Sequence, residues 1–390
     1  MRTTYPSTAG PSGISTTVQA PDALLFMYSP QPVIVETADA PDASSYIEVT
    51  VTSQETRKSH TEKRFFHNAV VEFDVSRTMQ LLAQPVEKVL SRVDFGGRYG
   101  LAERFTLEIG FRDNDGILYP LASYDDIQAM YGALDQGESY GAKKVQRRLW
   151  LNYPQTFSLQ RANDGFLGFM TPDGDMFDTP RTDEPENIEA SLVDSMNYSG
   201  AGALVDKLYA GASMELMVTR RYQVADGEAV DELYSYMTVV PDTCCSGVYL
   251  RWLNREGGVS YWLFQRSQLR TTAAVRSSHE AFIEGNPAAP VKNIYQNSRK
   301  ADYREARELV LGAVGLSADE YDDLCSLAVS PAVEMLVLDR DPDVRLEGPQ
   351  KWMQVTVTAS TYARDIRRTT PSSQDLEFTI ELPERNTVRL

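Results

Sequence analysis

Short stretches in which apolar and polar residues alternate run through most of the chain. Residues 47–52 read Ile-Glu-Val-Thr-Val-Thr, and residues 70–75 and 105–111 alternate in the same way. Successive side chains of a strand point to opposite faces, so a period of two predicts strands with one buried and one solvated face. The predicted fold class is therefore mainly β, with β-sandwich-like domains. Further strands are predicted at 25–27, 33–35, 215–218, 234–240, 353–357 and 376–382.

Two tight turns predict hairpins. Asp113-Asn114-Asp115-Gly116 separates the strand at 105–111 from apolar residues at 117–119, and these turn residues tolerate a positive φ. The second hairpin, residues 248–264, has Gly257-Gly258 between two aromatic-rich strands. Both faces of its first strand carry apolar residues, so we expect this hairpin to be covered on both sides.

Helices are predicted at three places. Ser76 is expected to cap a short helix that runs to Leu82. Asp302 opens a capping box followed by apolar residues at helical spacing to residue 313, and Gly315 would end that helix. Ser317 opens another capping box and a helix to residue 328. The fold is thus α+β overall, with a small C-terminal helical element.

Composition and pattern divide the 390 residues into four segments. Residues 1–22 are rich in Ser, Thr, Pro and Gly, which predicts a flexible N-terminal arm. Residues 23–150 form a first β-rich domain, and residues 151–300 a second one with an acidic loop at 171–195. Residues 301–390 hold the helical pair and terminal strands.

The charge balance limits the possible partners. The net charge is −17, and the basic clusters, at residues 143–148 and 364–368, are short. Nucleic-acid binding is therefore not expected. Either cluster could make a local phosphate contact, but a solvated, salt-bridging surface is the favoured interpretation. No secretory leader is expected at residues 1–13, and the apolar runs are shorter than the roughly 18 residues of a membrane span. We expect synthesis in the cytoplasm and no membrane association.

Candidate chemistry is sparse. The chain has three histidines and lacks the nucleophile-elbow, zinc-protease, P-loop and dinucleotide motifs, so no catalytic residue, enzyme activity or cofactor is predicted. Gly96–Gly100 is glycine-rich but leads toward a strand. The neighbouring Cys244 and Cys245 lack further ligands at a usable spacing, which favours small apolar packing residues. Two aspartate runs resemble calcium ligands but lack EF-hand spacing, so solvated loops are favoured: Asp173, Asp175 and Asp178, and Asp339, Asp341 and Asp343.

The aromatic hairpin has two possible roles. Its candidate residues are Tyr249, Trp252, Tyr261 and Trp262. A carbohydrate-binding or adhesin-like protein would expose them as a platform for sugar rings, whereas a structural protein would bury them or use them at an interface. A glycan hydrolase would instead need a cleft with two carboxylates about 5–10 Å apart.

Three blocks resemble segments of virion proteins of tailed bacteriophages and related prophages. They are residues 249–264; the helix at 317–328 with Ser330-Pro331-Ala332-Val333 and the strand from residue 352; and residues 32–35 followed by 73–76. The resemblance implies a structural virion protein without metal or cofactor, first a tail-tip or distal-tail-like component and second a capsid–tail connector. It also implies a homo-oligomeric ring that docks onto other tail proteins in the virion.

Overall fold

The computed structural model describes most of the predicted strands and divides into two compact units. The first unit comprises Met1–Cys245, Trp252–Tyr261 and Pro342–Gln350, and the second comprises Ser246–Arg251, Trp262–Asp341 and Lys351–Leu390. The residues that the structure describes are 1–5, 15–22, 24–38, 41–92, 102–133, 144–150, 153, 156–160, 165–170, 176–178, 187–191, 214–223, 229–242, 246–281, 297–337, 352–361 and 374–382.

A four-stranded antiparallel sheet begins the first unit, in the order β1-β2-β4-β7. Burial alternates along its strands, and Val18, Val33 and Phe73 are fully buried. One face of this sheet therefore belongs to the core. The strands are β1 Arg2–Thr4, β2 Thr16–Ala20, β4 Pro32–Thr37 and β7 Val70–Asp74.

A five-stranded sheet supplies the second layer of the first unit, in the order β3-β9-β8-β5-β6. Strand β3 runs parallel to β9 and the other pairs are antiparallel. Ile47, Phe105 and Leu107 lie on its buried face. The strands are β3 Leu24–Phe26, β5 Tyr46–Ser53, β6 Ser59–Phe65, β8 Ala102–Arg112 and β9 Leu118–Met130.

The two sheets form a β-sandwich, as the alternating pattern predicts. Each has one apolar and one polar face, so burial of both apolar faces requires that they pack together. Arg2 of β1 links the layers at one edge, because its Nη1 donates to both carboxylate oxygens of Asp126, at 2.7 and 3.0 Å. The guanidinium also lies 4.5 Å from the ring centroid of Tyr124. These contacts favour the ionised carboxylate and hold the pKa of Asp126 below its ordinary value.

The prediction of a flexible arm at 1–22 is wrong for β1 and β2. Val18 and Ala20 are fully buried, and β2 pairs with β1 on one edge and β4 on the other. Strand pairing and burial offset the entropy cost of ordering these residues. The polar composition had suggested that this cost was too large to be offset. Residues 6–14 of the predicted arm lie outside the described residues.

Two short helices follow β7: α1 Ser76–Leu82 and α2 Val86–Arg92. The α1 prediction is confirmed, but Ser76 is its first residue rather than its cap. Asp74 Oδ1 instead accepts the N–H groups of Ser76, at 3.1 Å, and of Gln31, at 3.0 Å. Burial alone would raise the pKa of Asp74, but the hydrogen bonds from Gln31 and Ser76 outweigh it and lower the pKa.

A buried carboxylate ties three segments of the sandwich together. Glu103 of β8 is 2% exposed, and both its oxygens accept the N–H of Gln84, at 3.1 and 3.0 Å. Its carboxylate also accepts from the hydroxyl of Tyr131, at 2.6 Å, and of Ser53, at 3.2 Å. Burial raises the pKa of Glu103, and these hydrogen bonds only partly oppose that effect.

The raised pKa of Glu103 predicts a pH-dependent contribution to stability. The native state binds this proton more tightly than the unfolded chain, so the contribution is full below the ordinary pKa of 4.5 and falls as pH rises through the higher native pKa. Glu103→Gln should therefore show its largest deficit in unfolding free energy at low pH. Urea titrations across that pH range test this.

The matched control is Glu108→Gln, at an exposed position of the same strand. A deficit for Glu103→Gln that stays constant with pH, or that Glu108→Gln reproduces, would contradict this account of Glu103.

The first unit contains two more sheets. One has five strands in the order β10-β16-β15-β12-β13, and the other pairs β11 with β14. Their strands are β10 Lys144–Trp150, β11 Thr156–Gln160, β12 Gly165–Met170, β13 Met176–Asp178, β14 Asn187–Ser191, β15 Met214–Gln223 and β16 Ala229–Asp242.

These sheets change the predicted division near residue 150. Strand β10 pairs in parallel with β16, so the end of the predicted first domain shares a sheet with the predicted second domain. The predicted acidic loop at 171–195 contains β13 and β14, and the loop prediction is wrong for those residues. Pairing with β12 and β11 orders these segments despite their acidic surroundings in sequence.

A seven-stranded sheet, in the order β18-β17-β21-β22-β23-β20-β19, contains the remaining strands. A helix, α3 Ala318–Leu327, connects β20 to β21. The strands are β17 Val248–Leu253, β18 Val259–Phe264, β19 Arg266–Ala281, β20 Asn297–Leu316, β21 Val333–Leu336, β22 Trp352–Thr361 and β23 Gln374–Glu381.

The helix predicted to begin at Asp302 is wrong, because residues 297–316 form β20. This strand pairs with β19 along one edge and, from Glu308 onward, with β23 along the other. The backbone N–H and C=O groups that would bond to each other within a helix bond instead to the neighbouring strands. Pairing between strands thus overrides the helical spacing of the apolar residues. The proposed domain boundary at 300 also falls inside this strand.

The prediction for α3 is confirmed in detail. Ser317 Oγ accepts the N–H of Glu320 at 3.3 Å, and Glu320 Oε2 accepts the N–H of Ser317 at 2.8 Å. Leu316 and Tyr321, on either side of the cap, are both buried. Gly315 has a φ of +69° and lets the chain turn from β20 into the helix.

Candidate functional site

The aromatic hairpin is the candidate site that the sequence singled out, and its geometry follows the prediction. Strands β17 and β18 flank a turn in which Asn254 N–H donates to the carbonyl of Gly258, at 2.8 Å. Asn254 Oδ1 accepts the Gly258 N–H at 2.9 Å, and its Nδ2 donates to Ser260 Oγ at 3.0 Å. Gly257 has a φ of +78°, which a β-carbon would strain.

The four candidate aromatic residues are buried. Tyr249 is 1% exposed and Trp252 0%, while Tyr261 and Trp262 are each 6% exposed. Burial extends over both faces of β17 and β18, as the apolar residues on both faces predict. These side chains therefore form core, and they do not provide the open platform on which a sugar ring would stack.

The stem of the hairpin carries a buried ion pair within the second unit. Arg251 Nε donates to Glu334 Oε2 at 2.7 Å, and the two side chains are 2% and 10% exposed. The guanidinium carbon lies 4.0 Å from the ring centroid of Trp352. That ring in turn packs against Tyr249, with 6.1 Å between centroids. Strands β17, β21 and β22 are thus joined by one polar contact and two ring contacts.

This ion pair has a structural role because buried charge is costly unless it is paired. The planar guanidinium of Arg251 satisfies a carboxylate along its edge while its face stacks on an aromatic ring. Sequence reasoning placed Arg251 on the hairpin but missed Glu334 and Trp352. The only local signal was a single carboxylate in the apolar stretch Val333–Leu336.

Breaking the ion pair from one side should destabilise the protein more than removing both partners. Arg251→Met leaves the Glu334 carboxylate buried without its cation, which should cost about 3–5 kcal/mol of unfolding free energy. The double variant Arg251→Met/Glu334→Leu should recover much of that loss, as urea denaturation of the wild type, the two single variants and the double variant would show.

The exposed Arg77→Met, on α1, is the control and should change stability by no more than about 0.5 kcal/mol. A double variant as unstable as the sum of the two single variants would show that the two side chains do not act as a pair.

The tip of the hairpin is seated closely within the first unit. Ala133 N–H donates to the carbonyl of Arg255 at 2.8 Å. A β-carbon on Gly132 would lie 2.7 Å from the Gly257 nitrogen and 2.8 Å from the Arg255 oxygen. The glycine is needed because two backbone segments approach too closely for any side chain. The tip is thus a packed element and not an open binding loop.

The burial of Trp252 predicts a core role that mutation can test. Trp252→Ala should lower the unfolding free energy by about 3–5 kcal/mol and reduce the yield of soluble protein, because it leaves a large cavity. Leu81→Ala is the control, since Leu81 is 74% exposed. Soluble Trp252→Ala protein of normal stability that merely loses a bound glycan would contradict the core role.

The other candidate chemistry is largely outside the described residues. Of the two aspartate runs only Asp178 is described, in β13, and the residues at 173, 175, 339, 341 and 343 are outside. Cys244–Cys245, Gly96–Gly100 and the basic cluster at 364–368 are also outside. Among the described residues, no cluster of three or more His, Cys, Asp or Glu side chains is placed to hold a metal ion.

Two further observations concern the described part of the chain. None of its helices has the length and apolar character needed to cross a membrane. In the basic cluster at residues 143–148, Lys144, Arg147 and Arg148 lie on β10, which pairs with β16 in the first unit. These three residues are therefore part of a sheet strand, and residue 143 lies outside the described residues.

Comparisons with known proteins add no functional information. No protein-family model matches the chain, and no curated protein matches it. Among solved structures, the chain aligns with one titled "Marsupial T cell receptor", at 9% identity over 75% of this chain and 96% of that chain, with a TM-score of 0.16. A likeness at that level carries no argument about fold or function.

Proposed function

We propose that the chain is a structural component of a tailed-phage virion, a part of the tail that works by self-assembly and docking onto other virion proteins. A tail-tip or distal-tail-like position is the first choice, and the protein would be made in the host cytoplasm. The proposal assigns it no catalytic activity and no cofactor. The phage assignment rests on the resemblance of the hairpin, the α3 segment and the N-terminal strands to virion proteins.

The observation that carries the assembly role is a long two-stranded extension of the seven-stranded sheet. Residues 271–281 of β19 pair with residues 297–307 of β20, from Thr271↔Arg307 to Ala281↔Asn297. Strand β23 pairs with β20 only from Glu308 onward. The ribbon, which we call the β arm, thus has no third strand among the described residues. At about 3.3 Å per residue it extends roughly 35 Å.

A ribbon of this kind favours docking for a physical reason. Two strands alone are only marginally stable in water, since they cannot bury both faces. The β arm therefore gains stabilisation when it lies on another protein surface, which is how assembly proteins use extended arms.

The hairpin supports the same role and weakens the glycan-binding alternative. That alternative predicted exposed aromatic side chains, and the four residues it relied on are buried. The buried Arg251–Glu334 pair also suits a rigid subunit, because it joins two strands that are distant in sequence.

Shortening the β arm tests the proposed assembly role. In this variant Asn-Gly replaces residues 274–304, so that the pair Ala273↔Glu305 flanks a two-residue turn and the pairing of 266–273 with 305–312 is kept. Light scattering after size exclusion should give a discrete oligomer for the wild type and a smaller species for the variant.

Particles of the wild-type oligomer should appear as rings in negative-stain images. A wild-type chain that remains monomeric at its highest soluble concentration would contradict the proposal. Circular dichroism of the shortened variant shows whether its sheets remain folded.

A further inference from the structure

We propose that the outer edge of β19 is the surface through which one copy of this chain binds a second copy, in a head-to-tail contact. This inference rests on the proposed assembly function and adds the partner and the surface to it. Three features support it: an unpaired strand edge, exposure of both faces of the first part of the strand, and a local charge opposite to that of the rest of the chain.

The first feature is the unpaired edge. Strand β19 is last in the order of the seven-stranded sheet, and among the described strands it pairs only with β20. Over 16 residues, Arg266–Ala281, its outer backbone N–H and C=O groups face away from the sheet. A long edge of this kind is a template for another chain, and proteins that do not use it usually keep such strands short or cover them.

The second feature is exposure. Every residue from Gln265 to Thr271 is exposed, so neither face of this part of β19 is covered. Leu269 is 56% exposed. The preceding strand is different, because all six residues of Val259–Phe264 are buried. The chain thus passes at residue 265 from a fully covered strand to a segment, Gln265–Thr271, that is exposed on both faces.

The third feature is charge. The described residues 266–281 and 297–307 contain seven Lys or Arg and three Asp or Glu, a net charge of +4. The other 363 residues of the sequence contain 31 basic and 52 acidic residues, a net charge of −21. A second copy therefore presents a surface of opposite sign to this segment, which favours encounter and orientation.

The same charges disfavour a symmetric contact between two exposed β19 edges. Antiparallel pairing centred on Gln268 would set Arg266 opposite Arg270 of the partner, and like charges across a strand pair are destabilising. The favoured contact joins β19 of one copy to a different, acidic surface of the next. Such head-to-tail contacts close into rings or continue as filaments.

One competing edge is β6, which is also exposed along most of its length. It is only seven residues long and mixes charges of both signs, with Glu62, Lys63 and Arg64 in sequence. Its Arg64 donates to the carbonyl of Glu72 at 2.8 Å, toward β7. Short length and mixed charge are the usual protection of an edge strand, so β6 is the matched control rather than the proposed surface.

The experiment compares three double variants with the wild type by light scattering across protein concentration and salt. Arg266→Glu/Arg270→Glu reverses the charge of the edge and should raise the concentration needed for association by about tenfold or more. Arg266→Lys/Arg270→Lys keeps the charge and should associate like the wild type. Lys58→Glu/Lys63→Glu makes the same charge change at and beside β6 and should also associate normally.

The outcomes separate this inference from the proposed function. Undiminished association of Arg266→Glu/Arg270→Glu, or an equal loss in the β6 control, would overturn the assigned surface while leaving self-assembly in place. A monomeric wild type would overturn both. Loss of association confined to the charge-reversed β19 variant, with unchanged circular dichroism and a salt-sensitive wild-type oligomer, supports the inference.

Discussion

The pairing of strand edges is the constraint on which this structure depends. Each buried strand must find hydrogen-bond partners on both sides, because an unpaired buried N–H or C=O group costs about as much as a lost hydrogen bond. In the first unit this requirement orders even the polar segment Thr16–Ala20, which lies between β1 and β4. In the seven-stranded sheet it converts a helical-looking segment into β20. Strand β19 differs because its exposed residues can bond to water at the outer edge, and among the described strands it pairs with β20 alone.

Side-chain contacts also join strands that are far apart in sequence. Arg251 lies on β17, and its contacts with Glu334 and Trp352 join that strand to β21 and β22. Glu103 does the same in the sandwich, where one carboxylate collects donors from Ser53, Gln84 and Tyr131. Both sites are polar, buried and nearly enclosed by partners, so they stabilise a specific arrangement and leave no reactive group open to a substrate.

The sequence predicts the fold where the signal is local. Alternation identified β5, β7, β8 and the hairpin at 248–264, and the Ser317 capping box identified α3. Prediction from the sequence failed where pairing between strands that are distant in sequence decides the secondary structure. Tyr303, Ala306 and Leu309 have helical spacing, yet β19 and β23 lie beside that segment. Strand β6 was missed because it is an edge strand that is polar on both faces, so it has no alternation to detect.

The candidate site was predictable only in part, for the same reason. The aromatic residues of the hairpin are visible in the sequence, and their burial follows from apolar residues on both faces. The carboxylate partner of Arg251 cannot be recognised in the sequence, because Glu334 lies 83 residues away. The exposed edge at Gln265–Thr271 is also not evident from sequence, because exposure of both faces depends on the order of strands in the sheet.

Hydrogen–deuterium exchange of β19 amides in the monomeric and assembled states tests the central claim most directly. Amides on an open strand edge exchange quickly, and those paired with a neighbouring chain are protected. The account predicts that assembly slows exchange within Arg266–Ala281 and leaves the amides of Ser59–Phe65 unchanged. Assembly without added protection along β19 would contradict it.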